Sequence, residues 1–179
     1  MSELISGIIP AVDGIRCYKE FLESSLEKCI LMNVHLALLE GCFRAAEKRG
    51  KSIILHIDRI NGLADDEAGA EYALQKFRPA GGISIKPSVI MTMKRKHITA
   101  IQRIFLIDSF ALSKSAEAVR HTEPDFIEVM PGICGDLALR LREMLGDELI
   151  AGGLIPDRAY AEKLLRDFRA VTMSFHKLK

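Results

Sequence analysis

A pair of glycines, Gly152 and Gly153, follows a short apolar run and precedes a helical pattern. The run at residues 149–151 has the composition of a buried strand, so the pair falls in a strand-to-helix turn. Glycine permits positive φ and lets another group approach the main chain closely. Unpaired N–H groups in such a turn can hold an anion. The alternative is a tight turn that binds nothing, and these residues alone leave both interpretations open.

Polar residues that end or interrupt other apolar runs form a second group of candidates, which are Asp58, Lys86, Asp108, Glu128 and Ser174. Among carboxylates at one rim, one could act as a general base, or one or two could bind Mg²⁺. The simpler interpretation makes them hydrogen-bond partners of ligand hydroxyls, of Lys86 or of Arg103, because charged residues are rarely buried unpaired. Lys86 is either a cation that reaches inward or a solvated residue at a helix start.

Two further polar side chains, His56 and Arg103, lie within apolar runs. A lone histidine in an apolar strand is more often a satisfied core residue than a ligand or base. The pattern does not decide whether Arg103 points inward or outward. The sequence contains no Ser/His/Asp constellation, metal-ligand spacing, Walker loop or G-x-G-x-x-G motif. We therefore predict no catalytic residue, no metal site and no cofactor.

The elements that must position these residues repeat along the chain. Eight apolar runs are centred about 20 to 30 residues apart, and an amphipathic segment follows each of the first seven. Strands that alternate with helices predict a parallel sheet with right-handed crossovers. Eight repeats without a linker predict one domain over residues 1–179, an α/β fold of the small (β/α)₈ TIM-barrel type. The second candidate is an open doubly wound sheet with fewer strands.

The chain is short for such a barrel, which typically has about 250 residues. Only five residues follow Ser174, so the eighth helix should be short or missing. An exposed apolar flank often becomes an interface, and we expect a homo-oligomer. Ligands bind at the C-terminal ends of barrel strands, and the loops after strands seven and eight often hold phosphate. This placement favours Gly152, Gly153 and Ser174 as a phosphate site.

The net charge of +1 gives no overall signature of nucleic-acid binding. The densest local candidate for RNA contact is Lys94, Arg95 and Lys96, whose alternative is the solvated end of a helix, favoured by the helix dipole. No apolar run approaches the roughly 18 residues that span a bilayer, and the first residues lack the order of a signal peptide. The four cysteines are scattered. These features predict a cytoplasmic protein without membrane contact.

Several stretches together resemble one family. They are His-Ile-Asp-Arg-Ile-Asn-Gly-Leu at residues 56–63, Gly-Ile-Ser-Ile-Lys at 82–86, Ile-Gln-Arg-Ile-Phe-Leu-Ile-Asp-Ser at 101–109, Pro-Asp-Phe-Ile-Glu-Val-Met-Pro-Gly at 124–132 and Ile-Ala-Gly-Gly-Leu-Ile at 150–155. Their order and spacing resemble the glycerol-3-phosphate-responsive antiterminator family over about residues 8–176. The fifth-strand and sixth-strand motifs are long and specific.

This resemblance implies a bacterial cytoplasmic regulator with a barrel fold. Such a regulator senses glycerol 3-phosphate and binds the leader of glycerol-operon messenger RNA, where it prevents premature transcription termination. The implied phosphate site is Gly152, Gly153 and Ser174, and the implied partners of the glycerol hydroxyls are Asp58, Lys86, Asp108 and Glu128.

The alternative is a phosphate-binding barrel enzyme that acts on a small phosphorylated metabolite. Asp58 or Asp108 would then be the general base and Lys86 an electrophilic helper. The fold cannot decide between the two, because it supports many chemistries.

Three places on the expected rim depart from the family pattern. Asn61 stands where the family usually has an acidic residue, and Asn33-Val34-His35 replaces a glycine–acidic pair after strand two. The end of strand eight reads Thr172-Met173-Ser174 in place of a Ser-Thr-Ser-like sequence.

Overall fold

Eight parallel strands follow one another around a closed barrel, and the last pairs with the first. The structure is a computed structural model that describes residues 4–132 and 138–178. The strands are β1 (Gly7–Asp13), β2 (Lys28–Met32), β3 (Ser52–His56), β4 (Gly81–Ser84), β5 (Thr99–Phe105), β6 (Phe126–Met130), β7 (Leu149–Gly152) and β8 (Ala170–Ser174). The predicted (β/α)₈ barrel is confirmed, and the open sheet is excluded.

A helix follows each of the first seven strands. The helices are α1 (Gly14–Glu23), α2 (Leu36–Glu47), α3 (Glu67–Phe77), α4 (Pro87–Arg95), α5 (Ser109–Thr122), α6 (Ala138–Leu145) and α7 (Arg158–Leu164). After β8 the described chain forms only a 3₁₀ turn, Phe175–Leu178, so the prediction of a short or missing eighth helix is confirmed. Within the described ranges, no helix has the length and apolar character needed to cross a membrane.

Three helices begin at an aspartate whose side chain accepts a hydrogen bond from the first turn. The helices are α3, α5 and α7. Their aspartates accept as follows: Asp66 from the Gly69 N–H at 2.9 Å, Asp108 from the Ala111 N–H at 2.7 Å and Asp157 from the Tyr160 N–H at 2.8 Å. Each bond satisfies one of the backbone donors that a helix start leaves unpaired, which is worth about 1 kcal/mol. The sequence signal for these helix starts is therefore local.

The interior of the barrel changes from apolar to polar along the strands. Ile54, Ile101, Phe126 and Ala170 belong to the buried apolar cluster inside the sheet. Successive side chains of a strand alternate between its faces, so the residue two positions further along points inward as well. These next residues, toward the C-terminal ends, are His56, Arg103, Glu128 and Thr172, all of them buried. The strands thus carry a polar layer above an apolar one.

The place of an eighth helix is a groove between α1 and α7. It has a volume of about 740 Å³, and Leu26, Phe175 and Leu178 contribute its apolar surface. Lys19, Glu23 and Arg158 also line it. This groove is the exposed flank from which the sequence analysis predicts a homo-oligomer. The homo-oligomer stays a prediction.

Two helical glycines should respond to alanine in opposite directions. A Cβ on Gly69 would lie 1.9 Å from the backbone oxygen of Ala64, whereas a Cβ on Gly41 would meet nothing within 4 Å. We expect Gly69→Ala to lower the free energy of unfolding by about 1–3 kcal/mol through overpacking. Gly41→Ala should raise it by about 0.5–1 kcal/mol through helix propensity. Urea denaturation measures the free energy of unfolding of both variants. If both substitutions changed it in the same direction, the close packing of Gly69 against the loop before α3 would be contradicted.

Candidate functional site at the mouth of the barrel

A cavity of about 240 Å³ opens at the C-terminal ends of the strands, and we call this end of the barrel the mouth. Its described polar lining consists of Asp13, Arg59, Arg103, Gly153, Thr172, Ser174 and Lys177. Three cations and one carboxylate leave the described lining with an excess of positive charge, so the cavity is suited to a small anion.

The loop after β7 borders this cavity with an unusual backbone. Gly153 has φ +74° and Leu154 has φ +55°, so both residues are left-handed. The Gly153 carbonyl accepts a hydrogen bond from the Gly132 N–H at 3.0 Å. The N–H groups of Gly153 and Leu154 donate to no protein acceptor in the described part of the chain. Together with Ser174, which lines the cavity from β8, the loop can supply backbone donors to an anion.

Gly152 has a different role from that of its neighbour. It does not line the cavity, and a Cβ at this position would lie 2.5 Å from Thr172 Oγ1 and 2.6 Å from Glu128 Oε1. Its glycine is therefore required by the packing inside the barrel. In the glycine pair, Gly152 is required by packing inside the barrel, whereas Gly153 lines the cavity.

Arg103 is held beneath the mouth by a buried polar network. Its Nε donates to Glu128 Oε2 at 2.5 Å, and its Nη1 lies 2.6 Å from His56 Nε2. Thr172 donates its hydroxyl to Glu128 Oε1 at 2.5 Å. Since Nε and Nη1 are engaged, Nη2 is the part of the guanidinium left to face the cavity, which Arg103 lines.

His56 is buried, yet only half of its ring is satisfied. Burial and the Arg103 charge lower the pKa of His56 to about 3, so the ring is neutral near pH 7. A neutral ring whose Nε2 accepts from Arg103 carries its proton on Nδ1. This Nδ1 has no hydrogen-bond partner among the described residues. The expectation of a fully satisfied core histidine is therefore wrong at that atom.

None of the four predicted hydroxyl partners lines the described cavity, and Glu128 lies beneath it as the partner of Arg103. Asp58 accepts from Ser84 Oγ at 2.5 Å and from the Ile85 N–H at 2.8 Å, which ties the turn after β3 to the loop after β4. Burial raises the pKa of Asp58, although these two hydrogen bonds oppose the shift. Lys86 pairs with Asp65 at 2.7 Å, and Asp108 caps α5. Their positions serve to join loops and begin helices.

The predicted RNA patch lies on the last turn of α4. Each of its three cations forms an ion pair with a carboxylate. Lys94 pairs with Asp125 at 2.5 Å, Lys96 pairs with Glu71 at 2.5 Å, and Arg95 pairs with Glu67. Asp125 directly precedes β6, so the Lys94 pair lies at the end of the barrel opposite the mouth. The patch therefore offers little positive charge that is not already neutralised.

Sequence reasoning did not select Asp13, Arg59 or Lys177 as site residues, and it noted Asn33 only as a departure from the family pattern. Asn33 donates to Asp13 Oδ1 at 2.8 Å and accepts from Arg59 Nε at 3.3 Å. Lys177 donates to the Ile155 carbonyl at 2.7 Å from the C-terminal turn. Asp13 ends an apolar run just as Asp58 does, so the same signal could have found it. Among residues 4–132 and 138–178 no group of three or more His, Cys, Asp or Glu side chains could hold a metal ion.

Fold and cavity together define the class of protein. This is a (β/α)₈ barrel with a cationic cavity beside the loops after the seventh and eighth strands, where barrels often bind phosphate. A family model described as glycerol-3-phosphate responsive antiterminator matches residues 8–178. The chain belongs to this family, which confirms the resemblance.

Solved structures agree with this assignment. A glycerol uptake operon antiterminator regulatory protein from Listeria monocytogenes str. 4b F2365 has 32% sequence identity and a TM-score of 0.89, over 94% of this chain and 91% of that chain. A glycerol uptake operon antiterminator-related protein from Thermotoga maritima MSB8 has 27% identity and a TM-score of 0.82, over 96% of each chain. A deoxyribose phosphate aldolase from Aeropyrum pernix, at 17% identity and a TM-score of 0.66 over 97% of this chain and 87% of that chain, shows the shared barrel fold alone.

The low pKa of His56 predicts a pH dependence of stability. The unfolded histidine binds a proton below about pH 6.5, whereas the folded one does so only near pH 3. Between these values the unfolded state binds more protons, so stability should fall as the pH falls, by up to about 1.4 kcal/mol per pH unit. His56→Gln keeps an acceptor for Arg103 and cannot titrate, so its stability should fall less steeply.

Urea denaturation between pH 5 and pH 7.5 measures this difference. The exposed His121→Gln serves as the matched control and should follow the wild type. Parallel curves for wild type and His56→Gln would contradict the buried, neutral state of His56.

Proposed function

We propose that this protein is a glycerol-3-phosphate-responsive regulator which, when it holds its effector, binds leader mRNA and prevents transcription termination of glycerol-utilisation genes. The observation that carries the proposal is the cationic cavity beside the Gly153 loop in a member of this family. The effector is glycerol 3-phosphate or a similar phosphoester. The protein acts as a binding protein and needs no cofactor.

The phosphate would sit at Gly153 and Ser174. A phosphate monoester carries a charge of about −1.5 to −2 near pH 7, which the cations of the lining would balance. The N–H groups of Gly153 and Leu154 and the Ser174 hydroxyl would donate to its oxygens. Glu128 would contribute indirectly, because its carboxylate holds Arg103 at 2.5 Å.

The C-terminal turn connects this site to the flank of the barrel. Within one turn, Lys177 lines the cavity while Phe175 and Leu178 line the groove between α1 and α7. An effector shifts a conformational equilibrium only by its differential affinity for the two states. Phosphate that draws Lys177 away from the Ile155 carbonyl would supply such a difference. We propose this turn as the route by which the effector alters the groove, and with it a homo-oligomer.

The residues that the enzyme alternative requires do not support it. Asp58, Lys86 and Asp108 have protein partners and lie outside the described lining of the cavity. The proposal therefore assigns the mouth to binding.

The first test is calorimetric titration with glycerol 3-phosphate, with glycerol and inorganic phosphate as controls. The wild type should bind the phosphoester saturably and glycerol not at all. Gly153→Asp should abolish binding, because it places a negative charge and a strained residue at the anion site. Gly50→Asp is the matched control: Gly50 also has positive φ, +64°, but precedes β3 at the opposite end of the barrel. It should bind as the wild type does. A wild type that binds no phosphoester would contradict the proposal.

The second test measures binding of a glycerol-operon leader transcript on filters across a salt series. We expect binding that requires glycerol 3-phosphate and weakens steeply with salt, by a slope of about −0.7 per phosphate contact for single strands. The double variant Lys94→Ala/Lys96→Ala should keep the salt slope of the wild type, because Asp125 and Glu71 already engage both lysines and we expect neither lysine to contact an RNA phosphate.

A smaller salt slope in this variant would show instead that these lysines contact RNA. Absence of RNA binding at low salt, with and without the effector, would contradict the regulator.

A further inference from the structure

Asp13 stands at the start of α1 but does not cap it. Asp66, Asp108 and Asp157 each accept a hydrogen bond from the first turn of their helices. Asp13 occupies the equivalent position of α1 and makes no such bond. The next residue, Gly14, has φ +78°, so the chain turns between Asp13 and the helix. The contribution of about 1 kcal/mol that a cap makes is absent here.

A hydrogen bond from Asn33 holds the Asp13 carboxylate at the mouth instead. Asn33 donates from Nδ2 to Asp13 Oδ1 at 2.8 Å, and its own Oδ1 accepts from Arg59 Nε at 3.3 Å. The backbone N–H of Asn33 donates to the Arg59 carbonyl at 2.7 Å. Asn33 has φ 54°, a left-handed conformation that asparagine adopts more readily than most residues other than glycine. Three strand ends thus converge on one carboxylate, whose other oxygen has no partner within the described chain.

We propose that Asp13 is the residue that selects the ligand of the mouth. It accepts a hydrogen bond from a hydroxyl of a phosphorylated polyol and repels a ligand that carries a second anionic group at that end. The inference rests on the proposed function, because it assumes that the phosphate lies at Gly153 and Ser174.

The register of the barrel places the residues that would contact the two ends of such a ligand on neighbouring strands. In the pairing of β8 with β1, Ser174 lies opposite Ala11, and Asp13 is two residues further along β1. Two residues of a strand span about 6.6 Å, which is within the length of a three-carbon phosphoester. A phosphate at Ser174 therefore leaves the far hydroxyl of glycerol 3-phosphate within reach of Asp13.

The charges of the lining agree with a ligand that has one anionic group. Glu128 already pairs with Arg103, so a dianionic phosphate and Asp13 together carry more negative charge than the two remaining cations of the lining, Arg59 and Lys177, can balance. A carboxylate at the other end of the ligand would add a negative charge beside Asp13, and like charges at close range repel. Glycerol 3-phosphate and 3-phosphoglycerate differ in this group, so they form the natural test pair.

The experiment titrates wild type and Asp13→Asn with glycerol 3-phosphate, 3-phosphoglycerate and inorganic phosphate by calorimetry. The wild type should bind glycerol 3-phosphate at least about tenfold more tightly than 3-phosphoglycerate. Asp13→Asn should bind glycerol 3-phosphate about tenfold more weakly, the effect of losing a hydrogen bond to a charged group. The same variant should bind 3-phosphoglycerate more tightly, and inorganic phosphate no more weakly, than the wild type. Asp66→Asn is the matched control, because it neutralises an aspartate at a helix start outside the cavity lining.

The outcomes separate the inference from the proposed function. If wild type binds glycerol 3-phosphate and Asp13→Asn keeps both its affinity and its preference over 3-phosphoglycerate, the inference is overturned and the proposed function stands. If the wild type binds none of the three phosphates, the proposed function is overturned and the inference with it. Equal losses in Asp13→Asn and Asp66→Asn would also overturn the inference, since they would reflect a general charge effect.

Discussion

The buried ion pair between Arg103 and Glu128 is the interaction on which the mouth depends. Two charges inside a barrel lose their hydration, and only close geometry with further hydrogen bonds offsets that loss. The Thr172 hydroxyl and the His56 ring supply these bonds, so strands β3, β5, β6 and β8 meet in one network. The pair also excludes a side chain at position 152, because Glu128 and Thr172 occupy the space that a Cβ would take.

This network divides the barrel into two functional levels. Below it, isoleucines and Phe126 fill the interior with apolar packing. Above it, Arg103 presents the unused part of its guanidinium to a cavity that also receives Gly153 and Lys177. A neutral His56 suits this arrangement, since a charged ring beside Arg103 would repel it. The network thus positions Arg103 to face a ligand, while Glu128 and His56 act through Arg103.

Short-range signals account for most of what could be predicted. The period of the apolar runs located the strands, and α1, α2, α4, α5 and α7 each begin within six residues of the end of the preceding strand. The glycine after β7 and the serine at the end of β8 were found as candidates because parallel strands bring their C-terminal ends to one rim. Asp58, Lys86 and Asp108 were placed at that rim by the same argument, yet their side chains bind neighbouring loops and a helix start.

The sequence by itself determined the barrel, the lack of a full helix between β8 and residue 178, and the family, because periodic patterns and long motifs are local in the chain. Tertiary structure alone decided which polar residues share the cavity. Four aspartates precede helices in the same way, and only the packing shows that Asp13 faces the mouth while three others cap. The physical reason is that a side chain chooses between its own helix and a partner such as Asn33, twenty positions away, and only closure of the barrel brings that partner near.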